Sequence, residues 1–382
     1  MSELNASNLR KEHGNEGPDL VGTTELTSPY YMVPPSGTTA QRPQNPQKGT
    51  LRFNTDIGSL EFFRGDTIGW EQIQRRTANL GGALGPTYAG SNAGTGARGC
   101  FAGGNAPAFK DNMEFITIST LGNAQDFGNL QLARTSPAGC ASRVRGLFCN
   151  GSTSPTLNDH IDLIIFSSLG DATDFGDAPT ARGYRGATSN STRGLIAGGS
   201  TPDTDNIDYV TIASNGNGVS FGNLSNAREK PAGAANSTRG LWVGGTNPNA
   251  MNIINYVTIA TTGDAADFGD LATAAFVTCC YNSVRTVVGG VRNPGYVNTM
   301  EYLTTATLGN SIDFGDQTDN RGAAANMSSQ TRGVWAGGYG PGAFTNVIDY
   351  VEIMTTGNAV DFGDTGYTAD HLGGCSNAHG GL

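Results

Sequence analysis

Charge is scarce in this sequence, and positive charge scarcer still. Only 15% of the 382 residues are charged, with 23 lysines and arginines against 33 aspartates and glutamates. Soluble domains usually carry roughly 25%. The formal net charge is −10 and the pI about 4.8. That excludes the basic stripe of a nucleic-acid-binding surface and argues against an anionic membrane as partner. No apolar run reaches the roughly 18 residues of a membrane-spanning helix. Met1-Ser2-Glu3-Leu4-Asn5 lacks the basic and apolar regions of a signal peptide, so export by that route is not expected. The histidines, His13, His160, His371 and His379, have neither helical nor hairpin metal spacing. No CxxC pair occurs. Cys140, Cys280 and Cys375 recur at one position of a repeat and, with Cys100, Cys149 and Cys279, read as small buried thiols. No Ser-His-Asp or Cys-His grouping stands out. Gly337-Gly338-Tyr339-Gly340 is followed by no helix and so is no phosphate loop. The expectation is a chain with no catalytic, cofactor-binding or metal-binding residues.

Glycine is what the chain has in abundance. Its 56 glycines suit an all-β array with several tight turns per unit, not a helical protein. They belong to a phrase that recurs six times, about 46 to 48 residues apart. One copy reads Thr192-Arg193-Gly194-Leu195-Ile196-Ala197-Gly198-Gly199, then Asn206-Ile207-Asp208-Tyr209-Val210-Thr211-Ile212, then Ser220-Phe221-Gly222-Asn223. Phe127, Phe175, Phe221, Phe268, Phe314 and Phe362 mark its period. Each unit predicts four strands, a to d. In one unit these are small and polar (231–237), apolar and ending in a glycine pair (240–245), alternating (255–259) and short (267–271). A period of this length with several short strands signals a propeller or solenoid. Small residues fit an innermost strand, where space is short. The glycine pair permits a turn closed to residues with a Cβ.

The N-terminal stretch differs. Residues 1–49, with Pro18, Pro29, Pro34, Pro35, Pro43 and Pro46, predict an extended arm whose apolar patch, Tyr30, Tyr31, Met32 and Val33, is the candidate anchor. Residues 50–74 predict a three-stranded meander. Strands b, c and d occur six times, but strand a occurs seven times, the last being Leu372-Gly373-Gly374-Cys375-Ser376-Asn377. The economical expectation is that 50–74 and 370–378 complete each other as a closing blade. Residues 50–382 would then form a seven-bladed propeller closed by both ends. The alternative is six blades beside a separate small module.

The acids that recur around the Phe-Gly step, such as Asp126, Asp174, Asp267 and Asp270, occur in almost every unit, which a single active site would not require. Turn and cap hydrogen bonds to the backbone are expected of them, with calcium the weaker alternative. The arginines opening strand b, Arg98, Arg145, Arg193, Arg239, Arg285 and Arg332, are expected to pair with a neighbouring acid or carbonyl. The b–c loops (105–111, 152–159, 201–205, 246–251, 293–298 and 339–345) vary most. They should cluster on one face, where specificity usually sits. Their candidate contact residues are Phe109, Asp159, Asp203, Asn247, Tyr296, Tyr339 and Phe344.

Gly198-Gly199, Tyr209, Phe221 and Ala227-Arg228, in that order, resemble the Kelch repeat over roughly residues 83–378. The sequence departs from that pattern by carrying Phe where Trp is usual, Asn150-Gly151 for the glycine pair, and Phe115 and Leu163 for the tyrosine. The resemblance implies a Kelch-like β-propeller and says little of activity; nothing matches the copper ligands of the Kelch-fold galactose oxidase. A second resemblance lies in Lys48-Gly49-Thr50-Leu51-Arg52-Phe53-Asn54-Thr55-Asp56, Gly58-Ser59-Leu60-Glu61-Phe62-Phe63 and Gly69-Trp70-Glu71. With Thr356-Gly357-Asn358-Ala359, Asp361-Phe362-Gly363-Asp364 and Ser376-Asn377-Ala378-His379-Gly380-Gly381-Leu382, these are similar to virion proteins of tailed phages, especially cyanophage structural and fibre proteins. The resemblance implies a non-enzymatic virion protein, assembled in the host cytoplasm. Its arm would contact other virion proteins, and it could form a homo-oligomer on the particle. Its implied role is a tail-fibre or baseplate adhesin for a host surface glycan. The alternatives are a head, neck or tail decoration protein and, less favoured, a polysaccharide-acting enzyme.

Overall fold

The computed structural model describes residues 34–56, 59–66, 69–72, 97–292 and 295–382. The chain divides into two compact units, Met1–Arg76 and Thr77–Leu382. Tyr30, Tyr31, Met32 and Val33 lie outside the described residues, as does the first small-polar stretch near residue 83. The fold is all-β, 49% strand, built mainly of four-stranded antiparallel sheets in a propeller-like arrangement.

In the first unit, β1 (Ser36–Gly37), β2 (Leu51–Asn54), β3 (Ser59–Phe63) and β4 (Trp70–Gln72) pair in that order. β1 runs parallel to β2, and the other pairs are antiparallel. Alternation along β3 sends Glu61 to a buried position. There it accepts hydrogen bonds from Arg42 Nη2 at 2.6 Å and from Asn54 Nδ2 at 3.2 Å. Such a carboxylate is tolerated only because it is paired. The Phe63 and Trp70 rings pack at 5.6 Å beside it.

The second unit holds six larger sheets among the described residues. β5 (Arg98–Ala102), β6 (Asn112–Thr117) and β7 (Gln125–Asn129) open it. β8 (Ala138–Ala141), β9 (Arg145–Cys149), β10 (His160–Ile165) and β11 (Thr173–Asp177) form the next sheet. β12 (Gly186–Ser189), β13 (Arg193–Ala197), β14 (Asn206–Thr211) and β15 (Val219–Asn223) follow. Then come β16 (Ala232–Ala235), β17 (Arg239–Val243), β18 (Ile253–Thr258) and β19 (Ala266–Asp270). The fifth sheet contains β20 (Phe276–Tyr281), β21 (Arg285–Arg292), β22 (Tyr296–Val297), β23 (Thr299–Thr304) and β24 (Ile312–Asp316). The sixth has β25 (Ala325–Ser328), β26 (Arg332–Ala336), β29 (Val347–Glu352) and β30 (Val360–Asp364), with β27 (Tyr339–Gly340) and β28 (Ala343–Phe344) as a hairpin between. The last strand, β31 (Gly373–Ser376), pairs antiparallel with β5, Cys375 opposite Cys100.

That pairing corrects one expectation. The meander does not receive 370–378 to make a closing blade: its fourth strand is β1, and β31 completes the sheet of β5, β6 and β7. The physical reason is complementarity. β5 is an apolar b-type strand that needs a small-residue inner neighbour, and β31 supplies Gly-Gly-Cys-Ser.

The inner strands β8, β12, β16, β20, β25 and β31 contact one another in cyclic order. Their small residues are a steric requirement: a Cβ on Gly233 would stand 1.9 Å from the carbonyl oxygen of Ala187. The b strands are buried apolar runs, as at Leu195, Ile196 and Ala197. The repeated phenylalanines are all buried, and all but Phe175, whose sheet carries Leu163 instead, meet the c-strand aromatic edge-on, Tyr209 and Phe221 at 6.0 Å.

The recurrent phrase is the joint between sheets. The backbone N–H of Gly170 donates to Phe127 O at 2.7 Å, and that of Ala172 to Asn129 O at 2.8 Å. Asp171 Oδ1 accepts the N–H of Asn129 at 2.9 Å. Asn217 and Asp177, Asp264 and Asn223, Asn310 and Asp270, and Asn358 and Asp316 repeat this side-chain bond. Asn123 and Asp364 make the same bond from the first sheet to the sixth. The strand-b arginines act between sheets as well. Each donates to a main-chain carbonyl of the following sheet, Arg193 to Ile259 O at 2.9 Å and Arg332 to Ile118 O at 3.2 Å. The arginines thus take the expected carbonyl partners. All six cysteines are buried free thiols.

Candidate functional site at the inner-strand mouth

The b–c loops are positioned by the glycine pair. Gly198 and Gly199 have φ of +67° and +125°, and a Cβ on Gly198 would lie 2.6 Å from Arg228 O. In the second sheet Asn150 takes the left-handed position, φ 57°. Beyond the turn, loop backbone bridges to the segment entering the inner strand of the same sheet. These bridges join Asn105 to Asp370, Ser152 to Thr135, Ser200 to Gly183, Thr246 to Glu229 and Tyr339 to Gly322. Loops and inner-strand entrances therefore share one face.

Three of the sequence-predicted contact residues come together. The Tyr296 and Tyr339 rings stand 5.7 Å apart, and Tyr339 meets Phe344 edge-on at 5.1 Å across the β27–β28 hairpin. Arg292 lies 5.2 Å over Tyr296. The remaining four stay on separate loops. Phe109 bridges to Asn105, and Asn247 Nδ2 is spent on Ala227 O at 2.8 Å. Asp159 contributes its main-chain carbonyl to Ala178 N. Asp203 sits nearer the entrance, where burial and then the charge of Glu229 raise its pKa.

The entrance itself is built from residues outside the sequence-predicted contact set. Two positions before each inner strand's shared register stand Ser136, Tyr184, Lys230, Phe276, Ala323 and His371. All but Phe276 have left-handed φ, between 53° and 57°. Backbone bonds of 2.8 Å run from Ser136 N to His371 O, Lys230 N to Tyr184 O and His371 N to Ala323 O, tying neighbouring sheets around the opening. The rings of Tyr184 and His371 meet edge-on at 5.4 Å, and Phe276 stacks on His371 at 6.0 Å. Lys230 Nζ lies 4.5 Å over Tyr184. Glu229 Oε1 is 3.0 Å from Lys230 Nζ, and Asp370 Oδ2 is 3.1 Å from His371 Nδ1. Burial first, then Glu229 and Asp370, raises the pKa of the Tyr184 hydroxyl. These groups surround a cavity of about 100 Å³. His371 Nε2 and Ser136 Oγ are buried against it with no hydrogen-bond partner among the described residues.

Deeper along the inner strands, His379 is fully enclosed. Its Nδ1 accepts from Gly381 N at 3.1 Å, so Nε2 carries the proton and donates to Ala141 O at 3.0 Å, with Ser189 Oγ at 3.2 Å. Desolvation pushes its pKa down to about 4. Gly380 and Gly381 lie so close to Asn282 and Ser189 that a Cβ would stand 2.2 and 1.9 Å from their backbones. The last residues thus pack tightly into the inner-strand space.

The signal that could have revealed the entrance is variation at fixed register. Aligned on the pairing of inner strand with strand b, the units agree closely, yet this one position reads Ser, Tyr, Lys, Phe, Ala and His. Among the described residues, no group of three or more His, Cys, Asp or Glu could hold a metal ion. No family model matches the sequence, and no curated protein does.

Proposed function

We propose that this chain is a non-enzymatic virion protein of a tailed phage. In this reading Thr77–Leu382 is a six-bladed, closed Kelch-like propeller whose b–c loop face grips a host surface glycan, as in a tail-fibre or baseplate adhesin, and the N-terminal arm contacts other virion proteins. The observation that carries the reading is the single face on which the b–c loops, the Tyr296–Tyr339–Phe344 rings and the entrance residues stand together. Aromatic faces beside Asn, Asp and Tyr groups suit sugar rings, which offer apolar C–H faces and many hydroxyls. The cyclic contacts of the inner strands and the recurring joint, including Asn123 to Asp364, support closure.

Purified full-length chain should bind cells of a susceptible host and their isolated envelope polysaccharide, and Tyr339→Ala with Phe344→Ala should weaken that binding. Absence of binding to every host fraction would turn the reading toward a decoration protein. Shortening of the polysaccharide by purified protein would turn it toward an enzyme.

A further inference from the structure

We infer that the cavity at the inner-strand entrance is a subsite for one uncharged sugar ring, the terminal unit of a glycan, held by Ser136, Tyr184, Lys230, Phe276 and His371. The inference rests on the glycan reading above and sharpens it to a place and a ligand class.

The joints demand the same residues at every sheet, and the sequence supplies Phe-Gly six times. The entrance position meets one backbone demand, a left-handed φ in five of its six copies, yet carries six different residues. Backbone geometry alone would favour glycine, because a Cβ in this region costs roughly 1 kcal/mol. Only Ala323 brings a side chain with nothing further to offer. Such strain retained beside a cavity is a mark of a ligand site.

Lys230 already faces Glu229, and His371 already faces Asp370. Arg185, whose backbone also lines the cavity, is turned away to Asp208 at 2.8 Å. The Lys230 ammonium and the Asp370 carboxylate thus each already have a polar partner within the protein. What the cavity offers a ligand is hydrogen bonding. In its wall His371 Nε2 and Ser136 Oγ are buried without a hydrogen-bond partner among the described residues, and the ammonium of Lys230 keeps further N–H donors beyond its bond to Glu229. A sugar hydroxyl both donates and accepts, so it satisfies either tautomer of the imidazole. The rings of Tyr184 and Phe276 give its C–H face an apolar wall. A volume of about 100 Å³, below the roughly 150 Å³ of a cavity that holds benzene, admits one edge of a single ring, the rest of which lies at the open mouth, and no longer chain.

The test uses the full chain, observed by ligand-detected NMR and calorimetry. The probes are methyl glycosides of glucose, galactose and mannose, with glucuronate and ethanolamine as charged controls. The variants are Tyr184→Gly and His371→Gly. Glycine accepts φ of 56° and 53° without strain, so both should fold with an unchanged or higher melting temperature. At least one glycoside should bind, and each variant should weaken it by about tenfold or more, close to the loss of one good hydrogen bond or ring contact. Tighter binding of a charged control, or unchanged affinity in both variants, would overturn the inference. If no glycoside binds while host polysaccharide still does, the subsite is refuted and the glycan reading stands. If polysaccharide also fails to bind, both fall together. Binding of the polysaccharide that is competed by its own terminal sugar assigns the subsite to a glycan end and not to a free metabolite.

Discussion

A missing Cβ lets one sheet meet the next. Gly128 has φ of +140°, and a Cβ there would lie 2.4 Å from Gly170 O, whereas Gly170, at φ +138°, has open space around it. Gly128→Ala should therefore cost about 3 kcal/mol or more, and Gly170→Ala only the backbone strain of about 1 kcal/mol. Urea midpoints of the two variants measure the difference, and equal losses would show that the joint is not closely packed. A second residue-scale device went unread in the sequence. Arg134, Arg185 and Arg321 are buried and paired to Asp162, Asp208 and Asp349 on strand c. Arg228, buried at the same register as Arg134, meets Asn255 instead, and burial pushes its pKa down to about 10. Arg321→Met would strand the Asp349 carboxylate, with an expected loss of about 3 to 5 kcal/mol, and adding Asp349→Leu should recover much of it. The Ala-Arg dipeptide is visible in the sequence at Ala133-Arg134 and Ala227-Arg228, whereas Arg185 and Arg321 follow Tyr184 and Asn320. The burial of these arginines is not visible there, because an arginine reads as surface until its partner is placed.

At the scale of elements, four strands per unit, their order and the apolar b strand were legible from periodicity alone. The partner of β31 was not. Inner strands are alike in composition, so the sequence cannot say which b strand a given one joins; the register of Cys375 on Cys100 answers that. Removing 373–382 should leave β5 without its inner neighbour and abolish a single sharp thermal transition; a chain that still melts cooperatively at the original temperature would contradict this pairing. The same deletion removes His379, whose effect can be isolated by pH. In the unfolded chain this histidine titrates near 6.5, and in the folded one near 4, beside Arg143 and within a dry enclosure. Between those values the unfolded chain binds a proton that the folded chain does not. Its share of stability is complete above pH 6.5 and disappears toward pH 4, about 3 kcal/mol in all. His379→Gln should remove that part of the slope in urea titrations at pH 7 and 4.5; an unaltered slope would assign acid sensitivity elsewhere.

For the molecule as a whole, the division at Arg76 and Thr77 predicts that residues 77–382 fold alone, melting within a few degrees of the full chain; collapse of that fragment would show that the first unit is part of the same cooperative structure. The face that carries the loops was legible from their variability, because loops on a repeated scaffold fall together. The entrance was not, since its six residues lie on six different inner-strand entries and meet only when the sheets are gathered. That gathering also has a cost in time. Arg98 N bonds to Asn377 Oδ1 across 279 positions of sequence. A ribosome adding roughly 5 to 20 residues per second needs some tens of seconds to travel that far. Throughout that interval β5, paired with β6 on one side, keeps its inner edge open. That inner edge is open during synthesis and covered by β31 in the folded chain. A chain that stalls before its last repeat keeps a sticky edge that quality control can recognise, while a finished chain hides it.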